Sequence, residues 1–361
     1  MKIVVFAGGV GSRLWPLSRK NKPKQFGKII ADRSMLQIAV HKLFPEFEWK
    51  DVYISTGTAY SPTIKEQLPQ LPEKNIIIEP EMRDVGPAVG LVVAQFVKTN
   101  PNEPITLLWG SDHLVKKEAL FRKILRAAEK IVLKDPEKIV FIGQKPRYGN
   151  QNVGYIEYGE EQESVDKLPV HKFTAFEYAP PLEKAEEFAT DQKHAWNLGY
   201  FVTTPKFLWN LFEEFSPELF SQLKKIHDAY QTDEYEKVLQ EVYPQIEKIS
   251  FDNAILEKMD PRSGYVISAD IGWSDIGAWE ALKEALSDKV DANVTKGKIL
   301  LEDCHDSIIH NETQQLIVGI DLNGLVAVSM DDVILICPKE SVPKIKKFVQ
   351  SLNGTSYEHL V

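Results

Sequence analysis

Short apolar runs alternate with amphipathic stretches through the first part of the chain. In the amphipathic stretches the apolar residues recur at helical spacing. This pattern predicts helices at residues 34–44, 88–97 and 118–133, and buried strands at residues 2–7, 52–56, 75–78, 105–109 and 139–143. Strands that alternate with helices in this way predict a doubly wound, mostly parallel α/β sheet.

The pattern changes twice further along the chain. Residues 149–277 mix polar helices, between residues 205 and 248, with strand-like runs at 154–158, 172–176 and 199–203. A helix is predicted at 343–352, and before it short apolar runs separated by polar turns occupy 307–310, 316–319, 325–328 and 333–337. We therefore predict a main domain at residues 1–290 and a small β-rich C-terminal domain at residues 291–361.

One edge of the predicted sheet is expected to bind a ligand. Ligands of doubly wound sheets bind at the carboxyl ends of the strands. Residues 8–9, residues 110–112 and Gly143 each follow a predicted strand, so they are expected on the same rim.

Composition excludes several classes of protein. A net charge of −9 argues against a surface that binds nucleic acid. No apolar run reaches the roughly 18 residues of a membrane span. The N-terminus also lacks the pattern of a signal peptide, so a cytoplasmic protein without a membrane partner is expected. Cys304 and Cys337 have no CxxC spacing, which favours two reduced thiols.

The first 31 residues carry lysines and arginines but no acidic residue. In an acidic chain, such a segment indicates either a local anion site or a solvated basic face. The glycines at residues 8–11 favour the anion site. A dinucleotide-binding loop is excluded because Leu14 stands where its third glycine is needed. A Walker A loop is excluded because Arg13 stands where its second glycine is needed.

The remaining interpretations are a phosphate-binding turn and a tight turn without a ligand. In a phosphate-binding turn, glycines allow backbone N–H groups to approach an anion. The Arg13 guanidinium would bind phosphate oxygens in pairs, and Lys24 would add a mobile point charge.

Residues 6–18, FAGGVGSRLWPLS, and residues 23–26, PKQF, resemble the signature of mannose-1-phosphate guanylyltransferases, a branch of the sugar-phosphate nucleotidyltransferases. The resemblance extends through essentially the whole chain. It implies a Rossmann-like nucleotidyltransferase sheet with a β-helix-like C-terminal appendage, and a homodimer. It also implies that GTP and α-D-mannose 1-phosphate react, with the help of Mg²⁺, to give GDP-mannose and pyrophosphate.

The resemblance also implies the residues of the phosphate site. Asp112 follows a buried strand, and Asp275 lies in a predicted turn of small residues at 272–277. Both are expected to hold Mg²⁺, which prefers carboxylate oxygens, and Arg13 and Lys24 are expected to act with them in catalysis. Nucleotide binding is expected at Gly8, Gly9, Gly11, Ser12, Arg13, Glu79, Gly86, Pro87 and Ser111. A sugar phosphate is already ionised and needs no base, so His113 is interpreted as orienting its neighbours.

Two further segments are candidates for the base and sugar pockets. Glu79 could accept hydrogen bonds from guanine, whereas Asp84, before Gly86, could simply cap the next helix. The resemblance implies sugar contacts at Gly154, Glu177 and Asn197. Carboxylate and amide groups suit this role because they reject an epimer that leaves them unpaired.

One position departs from the family pattern. Members of the family commonly carry Phe-x-Glu-Lys-Pro near the sugar site, and here Tyr178 follows Glu177 in place of the lysine. Either Lys172 or another basic residue compensates, or the affinity for the sugar phosphate is weaker. A different sugar or nucleotide, or a non-catalytic subunit that binds nucleotide sugars, are the alternatives.

Overall fold

The computed structural model describes residues 1–9, 14–287, 289 and 291–361. Two compact units make up the chain. The first comprises Met1–Gly8, Lys42–Gly110 and Val115–Gly272, and the second comprises Gly9–His41, Ser111–Leu114 and Trp273–Val361. The second unit thus combines early segments of the chain with the C-terminal residues. A separation into autonomous domains at residue 290 stays a prediction.

Strands of the described residues are numbered in chain order. They are β1 Lys2–Phe6, β2 Val52–Gly57, β3 Ile76–Glu79, β4 Ile105–Leu108, β5 His113–Val115, β6 Ile139–Gln144, β7 Gly154–Val165, β8 Leu168–Tyr178, β9 His194–Thr203, β10 Gly264–Ala269, β11 Trp273–Asp275, β12 Val294–Lys296, β13 Ile299–Glu302, β14 Ile308–Asn311, β15 Ile317–Ile320, β16 Leu325–Ser329 and β17 Ile334–Pro338. The α-helices are α1 Met35–His41, α2 Ser61–Gln67, α3 Val85–Thr99, α4 Glu118–Lys134, α5 Leu182–Thr190, α6 Pro205–Phe215, α7 Pro217–Ala229, α8 Tyr235–Val242, α9 Trp279–Leu286 and α10 Ile345–Ser351.

A large sheet forms the centre of the first unit. Among the described residues its strand order is β3-β2-β1-β4-β9-β6-β10-β8-β7. Strand β1 pairs in parallel with both β2 and β4, so the chain reverses its direction of progress across the sheet at this point. Such a switch point opens a crevice at the carboxyl ends of the two strands, which is where ligands of open α/β sheets bind. The predicted doubly wound, mostly parallel sheet is confirmed.

Strand β9 interrupts the parallel order. It lies antiparallel between β4 and β6, and β6 then pairs in parallel with β10. The prediction that Gly143 follows a strand is wrong, because Gly143 lies inside β6. An added Cβ there would lie 2.5 Å from the Cβ of Ala195, so the close approach of β9 requires glycine.

Burial follows the predicted periodicity in the helices of the first unit. The α4 positions Phe121, Ile124, Leu125, Ala128 and Ile131 are buried, as the spacing of an amphipathic helix requires. Helix α3 is longer than predicted and is buried along much of its length. It packs against α6 and α7. No helix in the described ranges has the length and apolar character needed to cross a bilayer.

The second unit contains the predicted β-rich tail. Strand β14 pairs in parallel with β12 and β16, and β13 pairs in parallel with β15. Parallel stacking of successive short strands is the pattern of a β-helix. Strand β17 then pairs antiparallel with β16. Leu14 and Trp15, from the N-terminal part of the second unit, are buried in one apolar core with Ile308 of β14 and Val326 of β16. The Trp15 indole donates to the carbonyl of Leu360 at 2.7 Å.

Candidate active site

Lys24 lies at the centre of an acidic cluster in the second unit. Its ammonium contacts Asp112 Oδ2 and lies 3.5 Å from Asp275 Oδ1, and it donates to the carbonyl of Ile276 at 3.3 Å. The Lys24 side chain is 11% exposed and that of Asp112 is 15% exposed, so solvent screens this pair only weakly. Three residues that are distant in the sequence therefore form one charged site.

Local structure holds Lys24 in this position. Pro23 precedes a short 3-10 turn at Lys24–Phe26. The Lys24 backbone N–H donates to Ser18 Oγ at 3.1 Å, and the Gln25 amide donates to the carbonyl of Gly9 at 2.7 Å. Gln25 thus ties the described end of the glycine loop to the segment that carries Lys24. Gln25 is part of the PKQF segment that resembles the family signature, but the sequence alone does not show that it contacts Gly9.

Asp112 lies in the turn that follows β4, as predicted, whereas Asp275 lies in a strand that the sequence did not predict. Asp112 and the buried Ser111 lie in a turn just before β5, and Asp275 ends β11, where a turn was predicted. Strands β5 and β11 pair with each other, which brings the two aspartates together. The turn predicted at Asp275 was wrong, because a three-residue strand such as β11 gains its structure from a distant partner rather than from its own pattern.

His113 belongs to the same cluster. Its Nε2 lies 3.9 Å from Asp112 Oδ1, and its ring packs edge-on against Trp273 with centroids 5.0 Å apart. Ligand atoms of Asp112, His113 and Asp275 all lie within 4.8 Å of one another. Two carboxylates with an imidazole beside them suit a divalent cation that is also bound by substrate phosphates. The residues present therefore fit a divalent metal, with Lys24 balancing the two carboxylates.

The glycine loop is described only in part. Gly8 follows β1 in the first unit, and Gly9 opens the second unit. Gly11, Ser12 and Arg13, which were predicted to bind phosphate, lie outside the described residues.

The predicted base segment joins β3 to α3 in the first unit. Glu79 ends β3 and is buried, and Asp84 accepts a hydrogen bond from the Val85 N–H at 2.7 Å. The predicted cap of α3 is confirmed. Gly86 and Pro87 lie buried in the first turn of α3, and the Gly86 N–H donates to the carbonyl of Ile249 at 3.0 Å.

The predicted sugar residues lie on two faces of one sheet. Gly154 pairs with both Asn197 and Tyr178, whereas Tyr155 pairs with Glu177. Because successive residues of a strand point to opposite faces, Glu177 faces away from Asn197 and Tyr178. The structure thus brings Gly154 and Asn197 together and places Glu177 on the other face.

Glu177 opens onto a cavity of about 260 Å³. The cavity is lined by side chains that include Tyr155, Lys184, Phe188 and His194. Lys184 of α5 donates to Glu177 Oε2 at 2.6 Å. Lys172 lies five positions before Glu177 on β8, about 16 Å away at the rise of a strand. Lys184 is therefore a basic group in direct contact with Glu177. The sequence did not predict this contact, because Lys184 lies on a separate helix.

Comparison with known proteins identifies the family of the chain. The family model described as nucleotidyl transferase matches residues 2–291. The chain belongs to the nucleotidyl transferase family, and the resemblance inferred from its glycine loop is confirmed.

Two curated relatives and one solved structure refine the similarity. The chain is 33% identical to mannose-1-phosphate guanylyltransferase 2 of Escherichia coli O157:H7, over 97% of this chain and 73% of that protein. It is 30% identical to mannose-1-phosphate guanylyltransferase RfbM of Salmonella typhimurium, over 97% of this chain and 72% of that protein. A crystal structure from Thermus thermophilus, described as a mannose-1-phosphate geranyltransferase, is 25% identical with a TM-score of 0.86, covering 98% of this chain and 99% of that one.

Proposed function

We propose that this nucleotidyltransferase is a mannose-1-phosphate guanylyltransferase, which converts GTP and α-D-mannose 1-phosphate into GDP-mannose and pyrophosphate. The observation that carries the proposal is the cluster of Lys24, Asp112 and Asp275. A cation held between two carboxylates, in a segment whose Gln25 binds the carbonyl of Gly9, suits a triphosphate and its metal ion. The names of the relatives support GTP and mannose 1-phosphate as the substrates.

The proposed reaction is an in-line displacement at the α-phosphorus of GTP. A phosphate oxygen of the sugar forms the new P–O bond, and the bond to the β-phosphate breaks as pyrophosphate leaves. The attacking oxygen is already ionised, so no side chain has to remove a proton. Lys24 offsets the charge that develops around the α-phosphorus, and Arg13 and the glycine-loop amides hold the β- and γ-phosphates. Such chemistry needs positioning and electrostatic stabilisation more than covalent catalysis.

Asp112 and Asp275 would hold Mg²⁺, with His113 beside them. When bound, Mg²⁺ neutralises phosphate oxygens and orients them. Since Lys24 occupies the space between the two carboxylates, we expect its ammonium to move toward the phosphates when the metal binds. Ser111, which is buried next to Asp112, is proposed to contact the same phosphates.

The residues proposed to contact the base and the sugar lie in the first unit. Glu79, Gly86 and Pro87 are proposed to bind guanine, and Gly154 and Asn197 the sugar. Glu177 remains a candidate through its cavity. There Lys184 would supply the positive charge that Tyr178 does not.

A homodimer through the β-rich tail is also proposed. Leu300 of β13 lies opposite Val318 of β15 in register, and both are more than half exposed, as is Ile320. A row of exposed apolar side chains on a sheet is typical of an interaction surface. A second copy of the chain is the partner that the resemblance favours.

A substrate panel tests the proposed reaction. Pyrophosphate release would be measured with each of the four nucleoside triphosphates against mannose, glucose and galactose 1-phosphates, and the nucleotide sugar would be identified by mass. We expect GTP with mannose 1-phosphate to give the highest kcat/KM. A higher value for another pair would reassign the substrates, and no turnover with any pair would favour a non-catalytic subunit.

A further inference from the structure

The Glu79 carboxylate is enclosed by two hydroxyl groups that the proposed function does not use. Glu79 is 6% exposed and Tyr243 is fully buried. The Tyr243 hydroxyl donates to Glu79 Oε2 at 2.7 Å, and the Ser55 hydroxyl donates to Glu79 Oε1 at 3.4 Å. Each carboxylate oxygen therefore has its own hydroxyl donor.

The segment that carries Tyr243 contacts the base segment at two points. Tyr243 begins a short turn after α8 and binds Glu79, at the start of the base segment. Six residues later, the carbonyl of Ile249 accepts from the Gly86 N–H, at the other end of the base segment. The chain between residues 243 and 249 thus holds both ends of the predicted base site.

These contacts also influence the pKa of Glu79. Burial raises the pKa of Glu79 above its ordinary value, while the hydroxyls of Tyr243 and Ser55 oppose that rise. Burial and the neighbouring Glu79 raise the pKa of Tyr243 well above its usual range, and nearby Arg83 lowers it to a smaller extent. Tyr243 therefore keeps its proton and remains a donor, and its hydrogen bond opposes the effect of burial on the pKa of Glu79.

The remaining acceptor sites of Glu79 match one base. A carboxylate oxygen offers about two lone-pair sites, so each oxygen retains one acceptor after it binds its hydroxyl. Guanine presents two adjacent donors, its N1–H and its 2-amino group, whereas adenine presents an acceptor at N1. We infer that Tyr243 and Ser55 are positioning residues that set selectivity for guanine by fixing the Glu79 carboxylate. This inference rests on the proposed function, in which Glu79 contacts the base.

Binding of GTP and ITP by calorimetry tests the inference. Inosine differs from guanosine only in lacking the 2-amino group, so the ratio of the two Kd values reports this contact. We expect Tyr243→Phe to raise the Kd for GTP about tenfold or more, the typical effect of removing a hydrogen bond to a buried charge. Binding of ITP should change less, so the preference for GTP should narrow. Ser55→Ala should have the same effect to a smaller extent, because its hydrogen bond is longer.

Three further variants separate positioning from general damage. Tyr235→Phe is the matched control, since the Tyr235 hydroxyl is partly buried and accepts a hydrogen bond from the Gln95 amide at 2.8 Å, away from Glu79; it should leave both Kd values unchanged. Glu79→Gln should remove the preference for GTP, and adding Tyr243→Phe to it should have no further effect, because the two residues act through one contact.

An unchanged ratio of GTP to ITP in Tyr243→Phe, or additive effects in the double variant, would overturn the inference. Calorimetry needs no sugar, so a wild-type chain that binds GTP selectively but releases no pyrophosphate would overturn the proposed reaction alone.

Discussion

At the scale of single residues, the site depends on charges that the structure places side by side. Lys24 and Asp112 were both predicted from the sequence, but as groups with separate tasks. Their ion pair could not be predicted, because it depends on how a turn at residues 24–26 packs against a strand end almost 90 positions away. The neighbourhood of His113 could not be predicted for the same reason, since only the pairing of β5 with β11 places it next to the second aspartate.

The ion pair predicts a competition between Lys24 and a metal ion. Without nucleotide, the Lys24 ammonium repels a divalent cation that approaches the two carboxylates, and a charge a few ångströms away at a partly buried site is worth a few kcal/mol. Lys24→Met should therefore tighten Mn²⁺ binding about tenfold or more, as measured by electron paramagnetic resonance titration. Asp112→Asn should weaken it.

Lys22→Met is the control, because Lys22 is an exposed lysine of the same segment. Equal Mn²⁺ affinity in Lys24→Met and wild type would show that the ammonium does not occupy the metal position. Although Lys24→Met should bind Mn²⁺ more tightly, it should be a poorer enzyme. Its kcat should fall by about 100-fold or more, as expected when a charge that stabilises the transition state is removed.

At the scale of elements, apolar periodicity predicted about half of the described strands and helices to within a few residues, because burial imposes that pattern. Strand β7 runs to Val165, well beyond its prediction, because its second half is largely exposed and polar. The pairing register was not predictable either. A shift of one residue moves a side chain to the other face, and only the pairing of Gly154 with both Tyr178 and Asn197 shows that Glu177 and Asn197 lie on opposite faces.

Two glycines of α3 give a test at this scale. A Cβ on Gly86 would lie 2.6 Å from the backbone carbonyl of Ile249, whereas a Cβ on Gly90 would lie 2.4 Å from the side-chain Cδ1 of Leu223. A backbone cannot yield cheaply, but a leucine can change its rotamer. Gly86→Ala should lower the free energy of unfolding by about 1–3 kcal/mol, as overpacking does, and weaken GTP binding.

Gly90→Ala should lower the free energy of unfolding less than Gly86→Ala, because its added Cβ meets a side chain rather than a backbone carbonyl. The preference of a helix for alanine over glycine, about 1 kcal/mol, can then offset part of the crowding. Urea denaturation of both variants measures the difference. A larger loss of stability in Gly90→Ala would contradict the account of how the segment from residue 243 to 249 holds the base site.

At the scale of the whole molecule, the chain combines a nucleotidyl transferase sheet with a tail of stacked parallel strands. The resemblance predicted both parts, and the exposed apolar row on β13 and β15 supports a homodimer. Val318→Glu would place a charge in that row, and we expect it to shift the protein from dimer to monomer in analytical ultracentrifugation. Leu133→Glu is the control, because Leu133 is also an exposed apolar residue but lies on α4; it should leave the sedimenting mass unchanged. A wild-type chain that sediments as a monomer at every concentration would contradict the proposed dimer.

The central claim is that Asp112 and Asp275 hold a metal ion for nucleotidyl transfer from GTP to mannose 1-phosphate. Pyrophosphate release from these two substrates, with Mg²⁺ and with chelator, tests it most directly. We predict turnover that requires Mg²⁺ in the wild type, and a loss of at least about 100-fold in Asp112→Asn and Asp275→Asn, with both variants still folded. Turnover that persists without a divalent cation, or that survives both substitutions, would contradict the claim.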